Sequence, residues 1–452
     1  MSIFKACDVR GVVGEELDEP LFGRLGRSLG AMIRGRGGTA ACLGGDLRSS
    51  TPALKQALLT GLLEAGVKVH DAGRVPTPVV HFAGRSLECP NVIIVTASHN
   101  EGRYNGLKFM VAGRPAVPAL IEELRAGLDA PVAGPAAAVE PMINVFDDYA
   151  SWVRSQAAEL VPGTPRRLRI VVDPMGGALA GLAGRVLGDA GFDAVTINDE
   201  VDPDFAERPP NPAVDGHLEP LSARVREEEA KMGLAFDGDG DRVAILDHEG
   251  RIVRPEQIAV LLARQMLSRP AVVYDQKCAS VVASAVTATG GRSIMQPSGH
   301  GFIKTAMIDE GADLGVEVSG HYFFKTLGGG DDGLLAALLV ARVVATADQT
   351  LAELIAPIGW PAITPDLRVP VDEPADGLLE QVAAQCGGRV SRLDGVRAEY
   401  DGGWALARAS ITEPVMTFRF EGRDAAHIRQ IAEQFLASAP DLAARVLEKL
   451  PE

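Results

Sequence analysis

The sequence predicts an α/β fold: three related mixed α/β domains, followed by a smaller α+β C-terminal domain. Three observations lead to this prediction. An apolar run that ends at an aspartate occurs three times, each time followed by a helical stretch, a glycine and a second apolar run. Two further apolar runs lead directly into polar, glycine-rich loops. The last segment of the chain has a different pattern, with several short apolar runs before one amphipathic helix.

The internal repeat predicts the first three domains. In the first copy, the apolar residues 41–45 precede an aspartate, a helix is expected at 54–63, and residues 67–69 form the second strand. The aspartate and the glycine of each copy are Asp46 and Gly66, Asp173 and Gly191, and Asp275 and Gly291. Glycine suits this place because it ends helices in a left-handed conformation. Three copies with similar spacing therefore predict three related units with mostly parallel strands.

Shifts in composition predict where the domains meet. Residues 130–141 are rich in Pro and Ala and are expected to form a linker, and residues 357–374 are rich in Pro. The predicted domains are 1–140, 141–250, 251–362 and 363–452. In the last domain we expect strands and then a helix at 367–371, 395–400, 404–408, 415–420 and 424–437.

Composition argues against several classes of protein. The chain of 452 residues has a net charge of −16 and no long basic block, which argues against nucleic acid or an anionic membrane as a partner. Its five cysteines include no Cys-x-x-Cys pair, which fits reduced thiols in a cytosol. We find no apolar core of a signal peptide and no run long enough to span a bilayer. These features predict a cytoplasmic protein.

A candidate nucleophile follows a buried strand. Residues 92–95 are apolar and β-branched, and the polar residues Thr96, Ser98, His99 and Asn100 come directly afterwards. Open α/β sheets bind ligands at such strand ends. No Gly-x-Ser-x-Gly motif surrounds Ser98, and its side chain and that of His99 would diverge if strand geometry persisted. A hydrolase triad is therefore not expected, and a polar strand end without chemistry is the alternative interpretation.

A second loop predicts a metal site. Asp237, Asp239 and Asp241 alternate with glycines between two apolar runs. Three carboxylates this close repel one another unless a cation neutralises them, and oxygen ligands suit Mg²⁺ or Ca²⁺. An EF-hand would need Gly and Glu where Arg242 and His248 stand. A hairpin with an Asp-Gly turn is the other possibility. A magnesium site beside a serine that carries a phosphoryl group would unite both loops, because Mg²⁺ often shares its site with phosphate oxygens.

Both loops resemble motifs of the α-D-phosphohexomutases, most closely of the bacterial phosphomannomutase/phosphoglucomutase branch. Residues 96–100, Thr-Ala-Ser-His-Asn, look like that family's phosphoserine loop, and residues 237–242 look like its magnesium loop. The resemblance extends over essentially the whole chain. It implies four domains around a central cleft and an enzyme that interconverts hexose 1-phosphate and hexose 6-phosphate. The implied reaction uses a phosphoserine and a hexose 1,6-bisphosphate intermediate, which is also an activator.

The resemblance also implies roles for particular residues. The expected catalytic residues are Ser98, Arg10, His99, Lys108 and His321, with Arg242 supporting the phosphoserine. The expected Mg²⁺ ligands are Asp237, Asp239, Asp241 and phosphorylated Ser98. The expected substrate-binding residues are Lys277, His300, Glu317, Ser319, Arg408, Ser410 and Thr412. Two positions depart from the family pattern: Cys7 replaces an aromatic residue near Arg10, and Ile411 replaces an asparagine of the phosphate clamp.

The predicted partner is a phosphorylated mannose, glucose or both, bound by a monomer or dimer. One alternative is a phosphoglucosamine mutase, but Thr96 and Val318 differ from the Ser and Gln typical of that branch. The other alternative is a non-catalytic protein that binds sugar phosphates, which the intact Ser98 and aspartates argue against.

Overall fold

A computed structural model describes residues 3–129, 134–371, 375–409 and 415–450. The first of four sheets has seven strands, in the order β1-β5-β4-β2-β3-β7 with β6 beside β5. Its strands are β1 (Val9–Val12), β2 (Ala40–Gly45), β3 (Lys68–Arg74), β4 (Val92–Val95), β5 (Tyr104–Val111), β6 (Arg114–Pro115) and β7 (Val139–Pro141). Its helices are α1 (Glu19–Gly35), α2 (Thr51–Glu64), α3 (Thr77–Ser86) and α4 (Pro118–Ala126). Strand β2 is parallel to β3 and β4, whereas β5 is antiparallel to β1 and β4.

The second sheet has the order β12-β11-β10-β8-β9. This part of the chain contains α5 (Val145–Leu160), β8 (Arg169–Asp173), α6 (Ala183–Asp189), β9 (Asp193–Thr196), α7 (Glu219–Glu227), β10 (Met232–Phe236), β11 (Val243–Leu246) and β12 (Ile252–Val253). Strand β8 is parallel to β9 and β10, and β10 forms an antiparallel hairpin with β11.

The third sheet has the order β14-β13-β15-β16-β17. It is formed with α8 (Pro255–Met266), β13 (Ala271–Asp275), α9 (Val281–Ala288), β14 (Arg292–Gln296), α10 (His300–Glu310), β15 (Leu314–Val316), β16 (Tyr322–Phe324), β17 (Gly330–Asp331), α11 (Gly333–Thr346) and α12 (Leu351–Ile355). Strand β13 is parallel to β14 and β15.

The fourth sheet is antiparallel and has the order β18-β23-β22-β21-β20, with β19 beside β23. Its elements are β18 (Ala362–Ile363), β19 (Leu367–Pro370), α13 (Ala375–Gln385), β20 (Arg389–Ser391), β21 (Val396–Tyr400), β22 (Gly403–Ala409), β23 (Val415–Gly422), α14 (Ala425–Phe435) and α15 (Pro440–Leu447). The predicted α+β pattern of this segment is therefore confirmed, although α13, α15, β18 and β20 were not expected from the sequence.

The three aspartates of the repeat have the same local structure. Each lies at or just after the end of a strand, and its Oδ1 accepts a hydrogen bond from the backbone N–H two residues later: 3.1 Å for Asp46, 2.8 Å for Asp173 and 2.6 Å for Asp275. The side chain thus closes the turn after the strand. One detail of the prediction was wrong. In the third copy, the glycine after the helix with positive φ (+71°) is Gly290 and not Gly291.

The second and third domains pack against each other through helices. The buried helix α11 packs against α5, so a helix of the third segment covers the second domain. Residues 139–141 of the expected linker form β7 at the edge of the first sheet, and residues 130–133 lie outside the described residues. Strand β12 joins the second sheet just after the boundary expected at 250, and the predicted domain boundaries stay predictions.

Two findings bear on the compositional predictions. All five cysteines are buried and unpaired: Cys7, Cys42, Cys89, Cys278 and Cys386. Among the described helices, no single one is long and apolar enough to cross a membrane, and one sharply bent pair, Gly333–Thr346 with Leu351–Ile358, passes by length and composition only.

Candidate active site

Ser98 lies where the first and second sheets meet. The strand β4 ends at Val95, and Ser98 has a left-handed backbone with φ of 51°. Its side chain is buried, and Oγ donates a hydrogen bond of 2.7 Å to Oδ2 of Asp237. The N–H of Ser98 donates to Oγ1 of Thr96 at 2.9 Å. The candidate nucleophile and the acidic loop are therefore in direct contact, as the combined interpretation of the two loops requires.

His99 approaches Ser98 more closely than strand geometry would allow. Its Nδ1 is 3.3 Å from Oγ of Ser98, so the expected divergence of the two side chains was wrong. The positive φ of Ser98 turns the chain out of the strand and brings neighbouring side chains to one side. Arg242 nearby, together with burial, lowers the pKa of His99 well below its ordinary value. His99 is therefore neutral here, and its imidazole could form a hydrogen bond with a phosphoserine without adding a positive charge.

A buried arginine that the sequence did not single out holds the serine loop. Arg48 has no exposed surface, and its Nη2 donates to the carbonyl oxygens of Ser98 at 2.8 Å and Asn100 at 2.7 Å. Its Nε bonds Oδ2 of Asp46 at 3.0 Å, and the same oxygen accepts from Oγ1 of Thr96 at 2.7 Å. The loop after β4 is thus fixed to the strand-end aspartate of the neighbouring β2.

Arg10 supports the same loop from β1. Its Nη1 donates to the carbonyl of Ala97 at 2.8 Å and to Oδ1 of Asn100 at 2.6 Å, and its Nη2 forms an ion pair with Asp8 at 2.5 Å. Arg10 therefore contacts the loop that carries Ser98. Cys7 lies nearby, close to Gly299 and Gly301 at the start of α10.

The three predicted metal ligands form a compact buried group. Asp237, Asp239 and Asp241 are fully buried, and each offers an oxygen within 4.8 Å of the others. The hairpin between β10 and β11 holds them, with Gly240 at φ of 79° and its N–H donating to Oδ1 of Asp237 at 3.0 Å. Oδ1 of Asp239 and Oδ1 of Asp241 are buried without a hydrogen-bond partner among the described residues. Unpartnered buried carboxylate oxygens are costly unless a cation binds them, so this donor set fits Mg²⁺.

The electrostatics of the group show the same need for positive charge. Nζ of Lys108 bonds Oδ2 of Asp239 at 2.8 Å and Oδ2 of Asp241 at 2.5 Å, and these carboxylates raise the pKa of Lys108 although burial opposes its charge. Burial, with Asp239 nearby, raises the pKa of Asp241 to about 7. Burial and its two neighbours also raise the pKa of Asp237. One ammonium therefore does not neutralise three carboxylates.

His321 belongs to a second buried network that joins this group. Its Nε2 accepts a hydrogen bond of 2.8 Å from Nε of Arg242, so the ring proton resides on Nδ1. Nδ1 is 3.1 Å from Oδ2 of Asp331 and 3.5 Å from Oδ1 of Asp241, and it has no hydrogen-bond partner among the described residues. Asp331 also pairs with Nζ of Lys304 at 2.9 Å.

The predicted sugar loop lies next to His321. Oε1 of Glu317 accepts from the N–H of Gly299 at 2.8 Å, while Oε2 lies 3.9 Å from Nε2 of His321. His300 begins α10, its ring centre is 6.3 Å from that of His321, and its Nε2 is buried with no partner among the described residues. Ser319 is half-buried in the turn between Glu317 and His321. These four predicted residues are brought together, and a polar ligand would satisfy the free imidazole nitrogen.

The remaining substrate residues lie in separate ion pairs. Lys277 pairs with Asp366 across the boundary of the third and fourth sheets, and Arg408 pairs with Asp394 at 2.5 Å. Within the described parts of the chain, no hydrogen bond or ion pair connects either cation to the Ser98 group. Ser410 and Thr412, like Ile411, lie outside the described residues.

Several buried polar residues of the site were missed by the sequence interpretation. Thr77 is typical, because its Oγ1 donates to Oδ2 of Asp239 at 2.8 Å although 162 positions separate the two residues. The others are Asp46, Arg48, His81, Lys304 and Asp331. Only Asp46 had a signal, as the aspartate at the end of a repeated strand. Thr77 and His81 lie on an apolar helix, where nothing in the sequence distinguishes them from ordinary core positions.

Comparisons with known proteins agree with this geometry. Four family models match the chain: phosphoglucomutase/phosphomannomutase alpha/beta/alpha domain I at residues 1–131, domain II at 147–250, domain III at 254–358, and the C-terminal domain at 367–438. The chain is 34% identical to a phosphomannomutase/phosphoglucomutase of Pseudomonas aeruginosa over 96% of this chain and 94% of that protein. It is 32% identical to a phosphoglucomutase of Neisseria meningitidis over 96% of both chains.

A solved structure shows the same fold. The X-ray structure of a phosphoglucomutase/phosphomannomutase family protein from Burkholderia thailandensis superimposes with a TM-score of 0.88 at 32% identity, covering 100% of this chain and 98% of that chain.

Proposed function

Because the chain belongs to the phosphoglucomutase/phosphomannomutase family and is a phosphohexomutase, we propose that Ser98 carries the phosphoryl group that the enzyme transfers. The reaction interconverts hexose 1-phosphate and hexose 6-phosphate. The observation that carries the proposal is the hydrogen bond of 2.7 Å between Oγ of Ser98 and Asp237, inside a group of carboxylates with free buried oxygens. A serine that accepts and donates a phosphoryl group needs such a charged, desolvated setting.

The phosphoryl transfer takes place in two steps. A free hydroxyl of the phosphosugar attacks the phosphorus of phospho-Ser98 and passes its proton to a base, while the bond between phosphorus and Oγ breaks and Oγ takes up a proton. The product is a hexose 1,6-bisphosphate and free Ser98. After the bisphosphate turns over in the cleft, Oγ of Ser98 attacks the other phosphorus and loses its proton, and the sugar oxygen that leaves takes a proton up. The enzyme is then a phosphoserine again, and the phosphate has changed places on the sugar.

His321 is our candidate for the base. Its Nε2 is the unprotonated nitrogen, and Arg242 covers it with a hydrogen bond of 2.8 Å. Nε of Arg242 is also 3.7 Å from Oδ2 of Asp237, the oxygen that accepts from Ser98. We infer that Arg242 turns toward the phosphate when Ser98 is phosphorylated, which would leave Nε2 free to accept the sugar proton. Asp331, beside Nδ1, orients the ring.

Mg²⁺ would be held by Asp237, Asp239 and Asp241 with an oxygen of phospho-Ser98. When bound, the ion supplies positive charge that stabilises the transferring phosphoryl group. Lys108 supplies part of this charge itself, because its ammonium bonds two of the three carboxylates. Arg10 and Arg48 keep the serine loop in place through backbone carbonyl oxygens. His99 lies beside Oγ and would hydrogen-bond a phosphate there.

The sugar and its second phosphate would occupy the rest of the cleft. Glu317 and Ser319 offer an acceptor and a hydroxyl to neighbouring sugar hydroxyls, and His300 offers an unpartnered nitrogen. Lys277 and Arg408 would bind the phosphate that does not react, together with Ser410 and Thr412. Guanidinium groups suit phosphate because they form two parallel hydrogen bonds.

Neither alternative function is favoured, because the similar proteins named above are phosphomannomutases and phosphoglucomutases. A coupled assay with mannose 1-phosphate, glucose 1-phosphate and glucosamine 1-phosphate, each with its 1,6-bisphosphate, tests the sugar. We expect turnover of the first two. Turnover of glucosamine 1-phosphate alone would contradict this proposal.

A cytoplasmic location is supported by five unpaired cysteines. Assembly as monomer or dimer, and the lack of nucleic acid or membrane partners, remain predictions.

The phosphoserine is tested by mass spectrometry of the purified protein. We expect an added mass of one phosphate on the peptide that contains Ser98, and its removal by excess hexose 6-phosphate. Ser98→Ala should lower kcat by about 10⁴-fold or more, as removal of a nucleophile does. Ser391→Ala, on the distant strand β20, is the matched control and should retain activity. A Ser98→Ala enzyme with unchanged kcat would contradict the mechanism.

The metal site is tested without the reaction. Mg²⁺ at 100 times its dissociation constant should raise the free energy of unfolding by about 2.7 kcal/mol, because it binds the folded state only. Thermal melting in Mg²⁺ and in chelator measures this shift. Asp241→Asn should reduce it, since one of the two unpartnered oxygens belongs to this carboxylate. Equal melting temperatures of the wild type in Mg²⁺ and in chelator would rule out the site.

A further inference from the structure

The guanidinium of Arg408 is already paired with a carboxylate. Nη2 of Arg408 lies 2.5 Å from Oδ2 of Asp394, and the two side chains are 25% and 30% exposed, so an anion from solvent can reach the pair. We propose that Asp394 sets the affinity of the phosphate subsite by competing with the substrate phosphate for Arg408. This inference rests on the proposed function, in which Arg408 binds the phosphate that does not react.

Asp394 is held against Arg408 by its backbone. The next residue, Gly395, has φ of 78°, and a Cβ there would be 2.2 Å from the carbonyl oxygen of Ala407 and 3.0 Å from Cα of Arg408. This turn therefore presses directly on strand β22, and only glycine allows the contact. On the other side, Nε2 of Gln276 donates to the carbonyl oxygen of Asp394 at 2.9 Å. Because the turn is fixed from two directions, the carboxylate stays near Arg408 when phosphate arrives.

A second carboxylate of the same domain provides a useful contrast. Asp366 pairs with both Lys277 and Arg419, so it bridges two cations and connects the third and fourth domains. Removal of Asp366 would leave two cations without their shared anion. Among the described residues, Arg408 pairs with a single carboxylate, and its Nε is buried without a partner. A phosphate that binds Arg408 must therefore displace or share the contact with Asp394.

Such competition suits a mutase. The two phosphates of the bisphosphate must occupy the clamp in turn, so the clamp has to release each of them within a catalytic cycle. Binding energy at the non-reacting phosphate helps only while it does not trap the intermediate. A carboxylate at hydrogen-bond distance lowers the net gain from each phosphate contact, because the charge-assisted pair with Asp394 is lost whenever phosphate binds.

Asp394→Asn tests the proposal, because it removes the charge and keeps the shape. We measure the dissociation constant of glucose 6-phosphate by calorimetry in the Ser98→Ala background, and kcat and KM in the active enzyme. The dissociation constant and KM should fall roughly threefold to tenfold, between the values of an exposed ion pair and a charge-assisted hydrogen bond. kcat should fall as well, because release of the bound phosphate slows. A structural role alone would not lower KM.

Asp401→Asn is the matched control, because Asp401 forms an exposed ion pair with Arg423 in the same domain at 3.0 Å and its loss changes the net charge equally. It should leave the dissociation constant unchanged. If Asp394→Asn behaves like this control, or weakens binding, the competition does not exist and the inference is overturned. Arg408→Ala distinguishes failure of the competition from failure of the proposed function. Weaker binding in this variant would support Arg408 as a phosphate ligand, whereas unchanged binding would show that Arg408 does not bind the phosphate.

Discussion

At Ser98, buried side chains from three domains bond to one another, whereas the described part of the chain gives Arg408 one half-exposed ion pair within one domain. Oδ2 of Asp239 accepts hydrogen bonds from Nζ of Lys108 and from Oγ1 of Thr77, both at 2.8 Å. Arg408, by contrast, pairs with Asp394, which lies just before the neighbouring strand β21 of the same sheet. Both places are proposed to bind phosphate, but only the first is built as a rigid buried network.

The difference follows from what each phosphate does. The reacting phosphate passes through a transition state in which charge shifts by fractions of an ångström, and donors must be aligned beforehand. The other phosphate is only held, and it must give up its place to the second phosphate when the bisphosphate turns over. A buried network costs stability when any member is lost, whereas a half-exposed pair is screened by water and exchanges partners readily.

The largest expected loss of stability follows from a substitution in the buried network around Ser98. Arg48→Met leaves the buried carboxylate of Asp46 without its cation and removes the donor to four loop carbonyl oxygens. We expect the free energy of unfolding to fall by about 3–5 kcal/mol, the typical result of breaking a buried ion pair. Urea denaturation measures the change, and mutase activity should also fall because the serine loop loses its support.

Arg24→Met is the matched control for this substitution. Arg24 is in the same domain and pairs with Asp129, but the two side chains are 42% and 85% exposed. Its removal should change stability little. Equal losses in Arg48→Met and Arg24→Met would show that burial does not distinguish the two ion pairs, and the contrast between network and clamp would fail.

The same contrast explains what the sequence could predict. Ser98 and the three aspartates stand in short motifs, so the order of residues alone identifies them. Arg48 and Thr77 act through contacts with residues far away in the chain, for example the 162 positions between Thr77 and Asp239. No local pattern records such a partner. The side chains of Ser98 and His99 were expected to diverge if strand geometry persisted, and they approach each other because Ser98 has a positive φ that changes the direction of the chain.

The fold was predictable where local chemistry repeats. Each aspartate after a strand closes a turn by accepting from the backbone two residues later, and this requires only the residue itself. The short strands β18 and β20 were missed because two or three residues carry too little periodicity, and their pairing partners decide their structure. The helix α13 lacks a strong polar–apolar division, with two buried side chains, Leu379 and Val382.

An intermediate effect is expected at the clamp. Arg408→Ala should lower kcat/KM by about tenfold to 150-fold, because a charge-assisted contact with phosphate contributes ~1.5–3 kcal/mol. Its free energy of unfolding should stay close to that of the wild type, since the pair with Asp394 is partly exposed. Arg423→Ala, which breaks an exposed pair in the same domain, is the control for kinetics and stability. A clamp variant that unfolds like Arg48→Met would contradict the comparison.

The smallest expected effect is a change in how the free energy of unfolding depends on pH, and it comes from a histidine of the buried network. His81 lies on α3, where Nζ of Lys304 is 3.2 Å from its Nε2 and Asp331 is the nearby anion. Burial and Lys304 lower the pKa of His81 to about 3, from an ordinary value of 6.5. Between these pH values the unfolded chain binds a proton that the folded protein does not. The contribution of His81 to the free energy of unfolding is therefore fully present above pH 6.5. It is lost as the pH falls, by at most about 1.4 kcal/mol per pH unit.

His81→Gln keeps an acceptor for Lys304 but does not titrate, so the stability of this variant should fall less steeply between pH 6.5 and pH 5. Some slope should persist, because burial lowers the pKa of His300 in the same way. Urea denaturation of both proteins at pH 8, 6 and 5 gives the slopes, and parallel curves would show that His81 does not limit the buried network at low pH.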